Sequence, residues 1–180
     1  MKVKQLSFLA VPLLVAGMLS GCSNNKSGDV TDNIRKSLDQ AGFKDVSVSE
    51  DRDKGVVTLK GSVPTETDKQ QAESIAKSSA SNLVVADEIS VRPPGNESEA
   101  RAIDSDLDKA IEKNLDATLV KHRLKRNVKY DVKNGVVTLT GNVPSQSQRD
   151  QVEKLIASVP NVKQVVNELE VKNQKASSRS

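Results

Sequence analysis

The chain has 180 residues, of which 36% are hydrophobic, 28% are charged and only 2% are aromatic, with a formal net charge of +3. This composition is typical of a soluble globular protein whose core is aliphatic and small. The single cysteine excludes an intrachain disulfide, and the single histidine excludes a metal site built from several His and Cys ligands.

The first 21 residues have the pattern of an export signal. Lys2 and Lys4 precede an almost uncharged apolar run from Leu6 to Leu19, which is shorter than the roughly 20 residues that span a bilayer. The run ends in Leu19-Ser20-Gly21-Cys22, which resembles the lipobox of bacterial lipoproteins. We therefore expect Cys22 to carry acyl chains and residues 22–28 to form a lipidated tether. A plain cleaved signal with a leftover thiol is the alternative.

One stretch of the chain occurs twice, 80 residues apart. Lys54 to Pro64 reads Lys-Gly-Val-Val-Thr-Leu-Lys-Gly-Ser-Val-Pro, and Asn134 to Pro144 reads Asn-Gly-Val-Val-Thr-Leu-Thr-Gly-Asn-Val-Pro. Lys-Gly or Asn-Gly suits a tight hairpin, and Val-Val-Thr-Leu is apolar and β-branched as a buried strand should be. Alternation predicts inward side chains at Val57, Leu59, Val137 and Leu139. It places Val56, Thr58, Val136 and Thr138 on the other face.

Each copy has the pattern helix, strand, strand, helix, strand. We predict domains at residues 29–92 and 103–172, a linker at 93–102 that contains Pro93-Pro94-Gly95, and a disordered tail at 173–180. The predicted fold is α+β, with two αββαβ modules, each a three-stranded mixed sheet with two helices on one face and its second strand in the middle.

Helix boundaries follow from capping patterns and apolar stripes. The patterns Thr65-x-x-Asp68, Ser105-x-x-Asp108 and Ser145-x-x-Gln148 predict three helix starts. Leu107, Ile111, Leu115 and Leu119 form the inward stripe of the first helix of the second module, which we expect to be longer than its counterpart. Asn167, Leu169 and Val171 are predicted to form the last strand.

The repeated motif, followed by a helix and then Val165-Val166-Asn167-x-Leu169-x-Val171, resembles the BON domain. Both modules carry the resemblance, and with the lipobox it extends to tandem BON-domain lipoproteins. It implies a location in the cell envelope and association with phospholipid membranes. The first copy departs from the pattern in its last strand, where Val84-Val85-Ala86-Asp87 stands in place of Val-Val-Asn, and in its longer hairpin.

Residues for catalysis are scarce. Cys22 is assigned to lipid, His122 is the only histidine, and the glycines fall at hairpins and strand ends rather than in a phosphate-binding loop. The carboxylates fall on helix caps and solvent-facing positions. We therefore expect no catalytic residue, no metal, no cofactor and no enzymatic activity.

A basic segment distinguishes the second module. Lys121, Arg123, Lys125, Arg126 and Lys129 lie between Asp116 and Asp131 with no acid among them. Residues 29–92 hold 9 basic and 12 acidic side chains, whereas residues 103–172 hold 12 and 10. In one interpretation the segment is a solvent-exposed helix C-terminus, where positive charges interact favourably with the helix dipole. In the other it binds anionic phospholipid while the Leu124 side chain inserts among the acyl chains.

These patterns predict a lipid-anchored, non-enzymatic envelope protein that binds anionic phospholipid, most simply at an outer membrane and facing the periplasm. Envelope proteins are possible further partners. Nucleic acid is not an expected partner, because the aromatic residues that stack on bases are scarce. The alternative is a holdase or protein-interaction module that binds client chains at strand edges or open sheet faces.

Overall fold

The computed structural model describes residues 28–172, which form two modules with the same order of elements. The signal, Cys22, most of the tether and the tail at 173–180 lie outside the described residues. The first module consists of α1 (Gly28–Gln40), β1 (Val46–Asp51), β2 (Val56–Val63), α2 (Glu66–Ser79) and β3 (Val84–Val91). The second consists of α3 (Glu97–Lys121), β4 (Val128–Lys133), β5 (Val136–Val143), α4 (Gln146–Ala157), β6 (Gln164–Asn167) and β7 (Glu170–Val171).

Both sheets are mixed and have the predicted strand in the middle. β2 pairs antiparallel with β1 and parallel with β3, and β5 pairs in the same way with β4 and β6. The α+β fold and the αββαβ order are thereby confirmed. The last strand of the second module was predicted to be continuous, which is wrong: it is broken at Glu168 and Leu169, and β7 resumes the pairing with β5.

Alternation along the central strands fills two separate cores. Val57 and Leu59 are fully buried in the first core, and Val137 and Leu139 in the second, so the predicted register is confirmed. The helices cover the same faces through apolar stripes that include Ile34 and Leu38 on α1 and Ile111, Leu115 and Leu119 on α3. Leu107 was expected in that stripe but is 39% exposed.

Short capping and turn motifs determine several of the helix and hairpin boundaries. Thr65 and Asp68 form the predicted capping box, and Ser145 accepts a hydrogen bond from the Gln148 backbone N–H. Asn134 and Gly135 turn the second hairpin with φ of 51° and 83°, and the Asp108 carboxylate accepts both of their backbone N–H groups at 2.9 Å. This contact explains why the hairpin tip is held against α3.

Two predictions near the linker are wrong. Ser105 is not a helix cap, because α3 already begins at Glu97 and runs for 25 residues. The linker predicted at 93–102 is therefore confined to 93–96. The physical reason is that Glu97 and Glu99 are acidic residues in the first turn, where the helix dipole favours them, and the Glu97 carboxylate accepts the Gly95 N–H at 2.9 Å. α3 is longer than its counterpart α1, as expected.

The modules pack against each other through the sheet faces that point away from the two cores. Val56 and Ala86 of the first module meet Val136 and Val166 of the second in one buried cluster. These residues are related by the 80-residue repeat, so the contact resembles the self-complementary interface of a two-fold dimer. Gln164 completes it, because its amide accepts the Asp87 N–H at 3.1 Å and donates to the Val85 carbonyl at 2.7 Å. Both cores and this interface lie within residues 28–172.

Candidate functional site

The basic segment, residues 121–129, leads from the end of α3 into β4. The helix ends at Lys121, and the chain reverses at Arg123, which has a positive φ of 58°. The Leu124 N–H then donates to the Leu119 carbonyl at 2.8 Å. All five basic side chains, at positions 121, 123, 125, 126 and 129, are exposed. Arg123, Lys125 and Arg126 line one common depression, and Lys121 and Lys129 flank them along the chain.

Leu124 does not belong to that surface. Its side chain is only 9% exposed and packs in the second core, so the prediction that it dips among acyl chains is wrong. The helix-ending turn points the residue back under α3 instead of outward. The exposed apolar residue beside these cations is Val120: it is 60% exposed and lines, with Arg123, Lys125 and Arg126, a shallow depression of about 410 Å³. Sequence reasoning missed Val120, although its position beside the Ile111–Leu115–Leu119 stripe could have indicated an outward side chain.

Asp116 forms an ion pair with one lysine of the basic segment. Lys125 Nζ lies 3.1 Å from Asp116 Oδ1, and Tyr130 Oη donates to the same oxygen at 2.8 Å. The hydrogen bond from Tyr130 and the contact with Lys125 hold the pKa of Asp116 below its usual range. Burial and the hydrogen bond to Asp116 raise the pKa of Tyr130 to about 12. The other four basic residues of the segment form no ion pair within residues 28–172.

The first module has no comparable surface. Its first helix ends in the same turn, where Gly42 has a φ of 92° and the Phe43 N–H donates to the Leu38 carbonyl at 2.9 Å. Only Lys44 brings a positive charge there, and Asp45 follows it directly. The charge asymmetry between the modules is therefore concentrated at one turn that is otherwise shared.

Residues 28–172 include neither a candidate metal site nor a candidate membrane-spanning helix. No group of three or more His, Cys, Asp and Glu side chains within residues 28–172 is arranged to hold a metal ion. Over the same residues, no helix combines the length and the apolar character that a membrane span requires.

The fold and the repeated motif define a class of protein. The family model of the BON domain matches residues 26–93 and again 104–173, and the chain therefore belongs to the BON-domain family, with two copies in tandem. It is also similar to the osmotically-inducible protein Y of Escherichia coli strain K12, with 31% identity over 166 residues, covering 87% of this chain and 81% of the relative.

Two solved structures of CdsD, a structural protein of the type III secretion system of Chlamydia trachomatis, were also matched. They are 15% and 16% identical, each covering 79% of this chain and respectively 92% and 97% of theirs. Their TM-scores of 0.35 and 0.32 are too low to support an argument about this protein.

Proposed function

We propose that the protein is a lipid-anchored, non-enzymatic component of the cell envelope that binds anionic phospholipid through the basic segment of its second module. The observation that carries this proposal is the exposed cation cluster around Val120, which the first module lacks although it has the same turn. The depression is shallow and open to solvent, so it presents these cations to an extended surface rather than enclosing one small substrate.

The charges are sufficient for recruitment to an anionic surface. A basic residue near an anionic leaflet contributes about 1 kcal/mol, so the four cations without an ion pair supply up to roughly 4 kcal/mol before screening. Lys125 adds less while it is paired with Asp116. Val120 can bury its side chain among the head groups, because it projects from the same end of α3.

An acyl anchor at Cys22 would bring the basic segment to the membrane permanently. The lipobox Leu19-Ser20-Gly21-Cys22 supports this part of the proposal. The similarity to an osmotically-inducible protein supports a role in envelope integrity under osmotic stress. The residues after the cysteine, Ser23 and Asn24, favour an outer membrane with the protein facing the periplasm. Mass spectrometry of the cell-purified protein tests the anchor: an acylated Cys22 is expected, and an unmodified thiol on soluble protein would contradict it.

Lipid binding is best tested with the two-module protein that begins at Gly28, because the modules share an interface and all described contacts are retained. Vesicles with and without phosphatidylglycerol are compared. We expect binding to acidic vesicles only, weakening as salt rises, and a loss of about tenfold or more for Lys125→Glu combined with Arg126→Glu. Lys36→Glu with Lys44→Glu is the matched control, because both lysines are exposed on the first module and form no ion pair within residues 28–172.

The outcome separates the two function classes. Equal binding to neutral and acidic vesicles, or an equal loss in the control variant, would contradict the proposal. Either result would favour the alternative, in which the modules bind client or partner proteins.

A further inference from the structure

Two differences between the modules meet at one place in the structure. The loop of the first hairpin spans residues 52–55, whereas the second hairpin turns at Asn134 and Gly135 alone. The third strand of the first module is continuous from Val84 to Val91, whereas its counterpart is broken at Glu168 and Leu169. The long hairpin and the broken strand together border a cavity of about 520 Å³ between the modules. The repeat has therefore diverged on both sides of this cavity.

Arg149 in the cavity wall is a cation that has no carboxylate partner within residues 28–172. Its counterpart in the first module is Lys69, which is buried, donates to the Ile89 carbonyl at 2.6 Å and lies 3.7 Å from the Asp87 carboxylate. In the second module Asn167 replaces that aspartate, and Arg149 Nη2 donates only to the Asn167 backbone carbonyl, at 2.5 Å. The second module therefore has a cation as the first does, but a neutral amide stands where the first has a carboxylate.

The remaining nitrogens of Arg149 are unsatisfied. Nε is buried and has no hydrogen-bond partner, and Nη1 has none within residues 28–172. The bond at Nη2 ties the guanidinium to the Asn167 carbonyl, and Asn167 Nδ2 donates in return to the Arg149 backbone carbonyl at 3.2 Å and to Glu153 Oε2 at 2.9 Å. The amides of Asn142 and Gln146 line the same cavity. Guanidinium and amide donors are the groups that recognise phosphate and carboxylate oxygens.

The same cavity also carries an acid without an ion pair. Glu168, at the strand break, forms no ion pair within the described part of the chain. Burial raises its pKa, the nearby Asp51 adds to the effect, and Lys54 opposes it. An ammonium group beside Glu168 would lower the free-energy cost of ionising this carboxylate, because an opposite charge favours the ionised form.

We propose that this cavity binds a small zwitterionic group, with a phosphate or carboxylate on Arg149 and an ammonium on Glu168. The ligand chemistry is that of phosphoethanolamine, as a free compound or as the head group of phosphatidylethanolamine. This site is separate from the basic segment and goes beyond the proposed function. Lys54 of the first module is bonded to Glu170 of the second at 2.8 Å in the cavity wall, so both modules contribute to the cavity.

The test uses the protein that begins at Gly28 and three probes: phosphoethanolamine, inorganic phosphate and ethanolamine, titrated by calorimetry or amide chemical shifts. We expect phosphoethanolamine to bind about fivefold more tightly than either single-charge probe, which is the upper range for one exposed ion pair. Glu168→Gln is expected to remove this advantage and to leave phosphate binding unchanged. Glu112→Gln, at an exposed position of α3 outside the cavity lining, is the matched control and is expected to retain the advantage.

Arg149→Gln is expected to abolish binding of both phosphate probes, with thermal unfolding as the check that the fold is kept. This variant also loses the bond to the Asn167 carbonyl and could therefore unfold. In that case the Glu168→Gln variant alone decides whether the proposal holds. Phosphoethanolamine binding no tighter than phosphate, or unaffected by Glu168→Gln, would overturn the proposal. Binding to phosphatidylethanolamine vesicles that Glu168→Gln weakens indicates the head group as ligand, and binding of the free compound alone indicates the free ligand.

Discussion

Arg123 occupies the position in the second module that Gly42 occupies in the first. Both residues end the first helix of their module with a positive φ, 58° for Arg123 and 92° for Gly42, and both are followed by a residue that returns to the core. This backbone region costs a residue with a side chain about 1 kcal/mol or more, and glycine adopts it freely. The second module therefore carries a cation where the backbone favours glycine.

Arg123→Gly should separate stability from function. The substitution relieves the backbone strain at this position, which stabilises the folded state. Glycine also raises the entropy of the unfolded chain, which destabilises the folded state by roughly 0.4–1 kcal/mol. The free energy of unfolding should therefore be unchanged or slightly higher. Binding to phosphatidylglycerol vesicles should fall about fivefold, because one cation is lost. Denaturant unfolding and vesicle titration measure the two effects. Unchanged vesicle binding would remove Arg123 from the lipid surface.

Asp116→Asn should strengthen binding to acidic vesicles. The amide keeps an acceptor for Tyr130 but no longer neutralises Lys125, whose Nζ lies 3.1 Å from the carboxylate. Asp131→Asn is the matched control, since it removes one negative charge from the exposed face of β4 without releasing a lysine. We expect a larger gain for Asp116→Asn, by about threefold to fivefold. Equal gains would mean that only net charge matters and that the Asp116–Lys125 pair does not restrain binding.

The single tyrosine provides a direct test of the same network by absorbance titration, because the chain has no tryptophan. The tyrosinate of Tyr130 should form with a pKa of about 12, and Asp116→Asn should lower that value. The folded pKa is raised, so the folded state binds more protons than the unfolded state between about pH 10 and 12, and stability should decline across that interval. A tyrosinate midpoint near 10 in the folded protein would show that the hydrogen bond to Asp116 is not formed.

The register of the central strand β5 predicts that substitutions at two neighbouring residues, Thr138 and Leu139, differ sharply in their effect on stability. Leu139 is fully buried in the second core, whereas Thr138 on the other face is only half-buried. Leu139→Ala should lower the free energy of unfolding by roughly 2–5 kcal/mol, and Thr138→Ala should have a mild effect. Thermal or denaturant unfolding measures both. Equal shifts in the two variants would contradict the strand register.

The features that the sequence predicted correctly are those fixed by neighbouring residues. The Asn134-Gly135 turn, the Thr65–Asp68 capping box and the alternation around Val137 all depend on contacts within a few positions of the chain. The early start of α3 was missed because Pro93-Pro94-Gly95 indicated a longer linker, whereas the acidic residues from Glu97 onward already stabilise a helix.

The features that were missed depend on contacts distant in the chain. The outer-face position of Val56 and Val136 was predicted, but their burial against Ala86 and Val166 depends on how the modules dock. Leu124 has the polar neighbours of a surface residue and is buried only because the turn at Arg123 reverses the chain. The same reversal brings Lys125 to Asp116, a pairing that no local pattern in the sequence indicates.

The most direct test of lipid binding is to ask whether Val120 enters the membrane. The protein that begins at Gly28 has no cysteine, so Val120→Cys can carry a single environment-sensitive fluorophore, with Val84→Cys, at a 47% exposed position of the first module, as the matched control. Phosphatidylglycerol vesicles should shift the emission of the probe at position 120 to the blue and leave the probe at position 84 unchanged. No shift at position 120, or equal shifts at both positions, would contradict membrane binding through the basic segment.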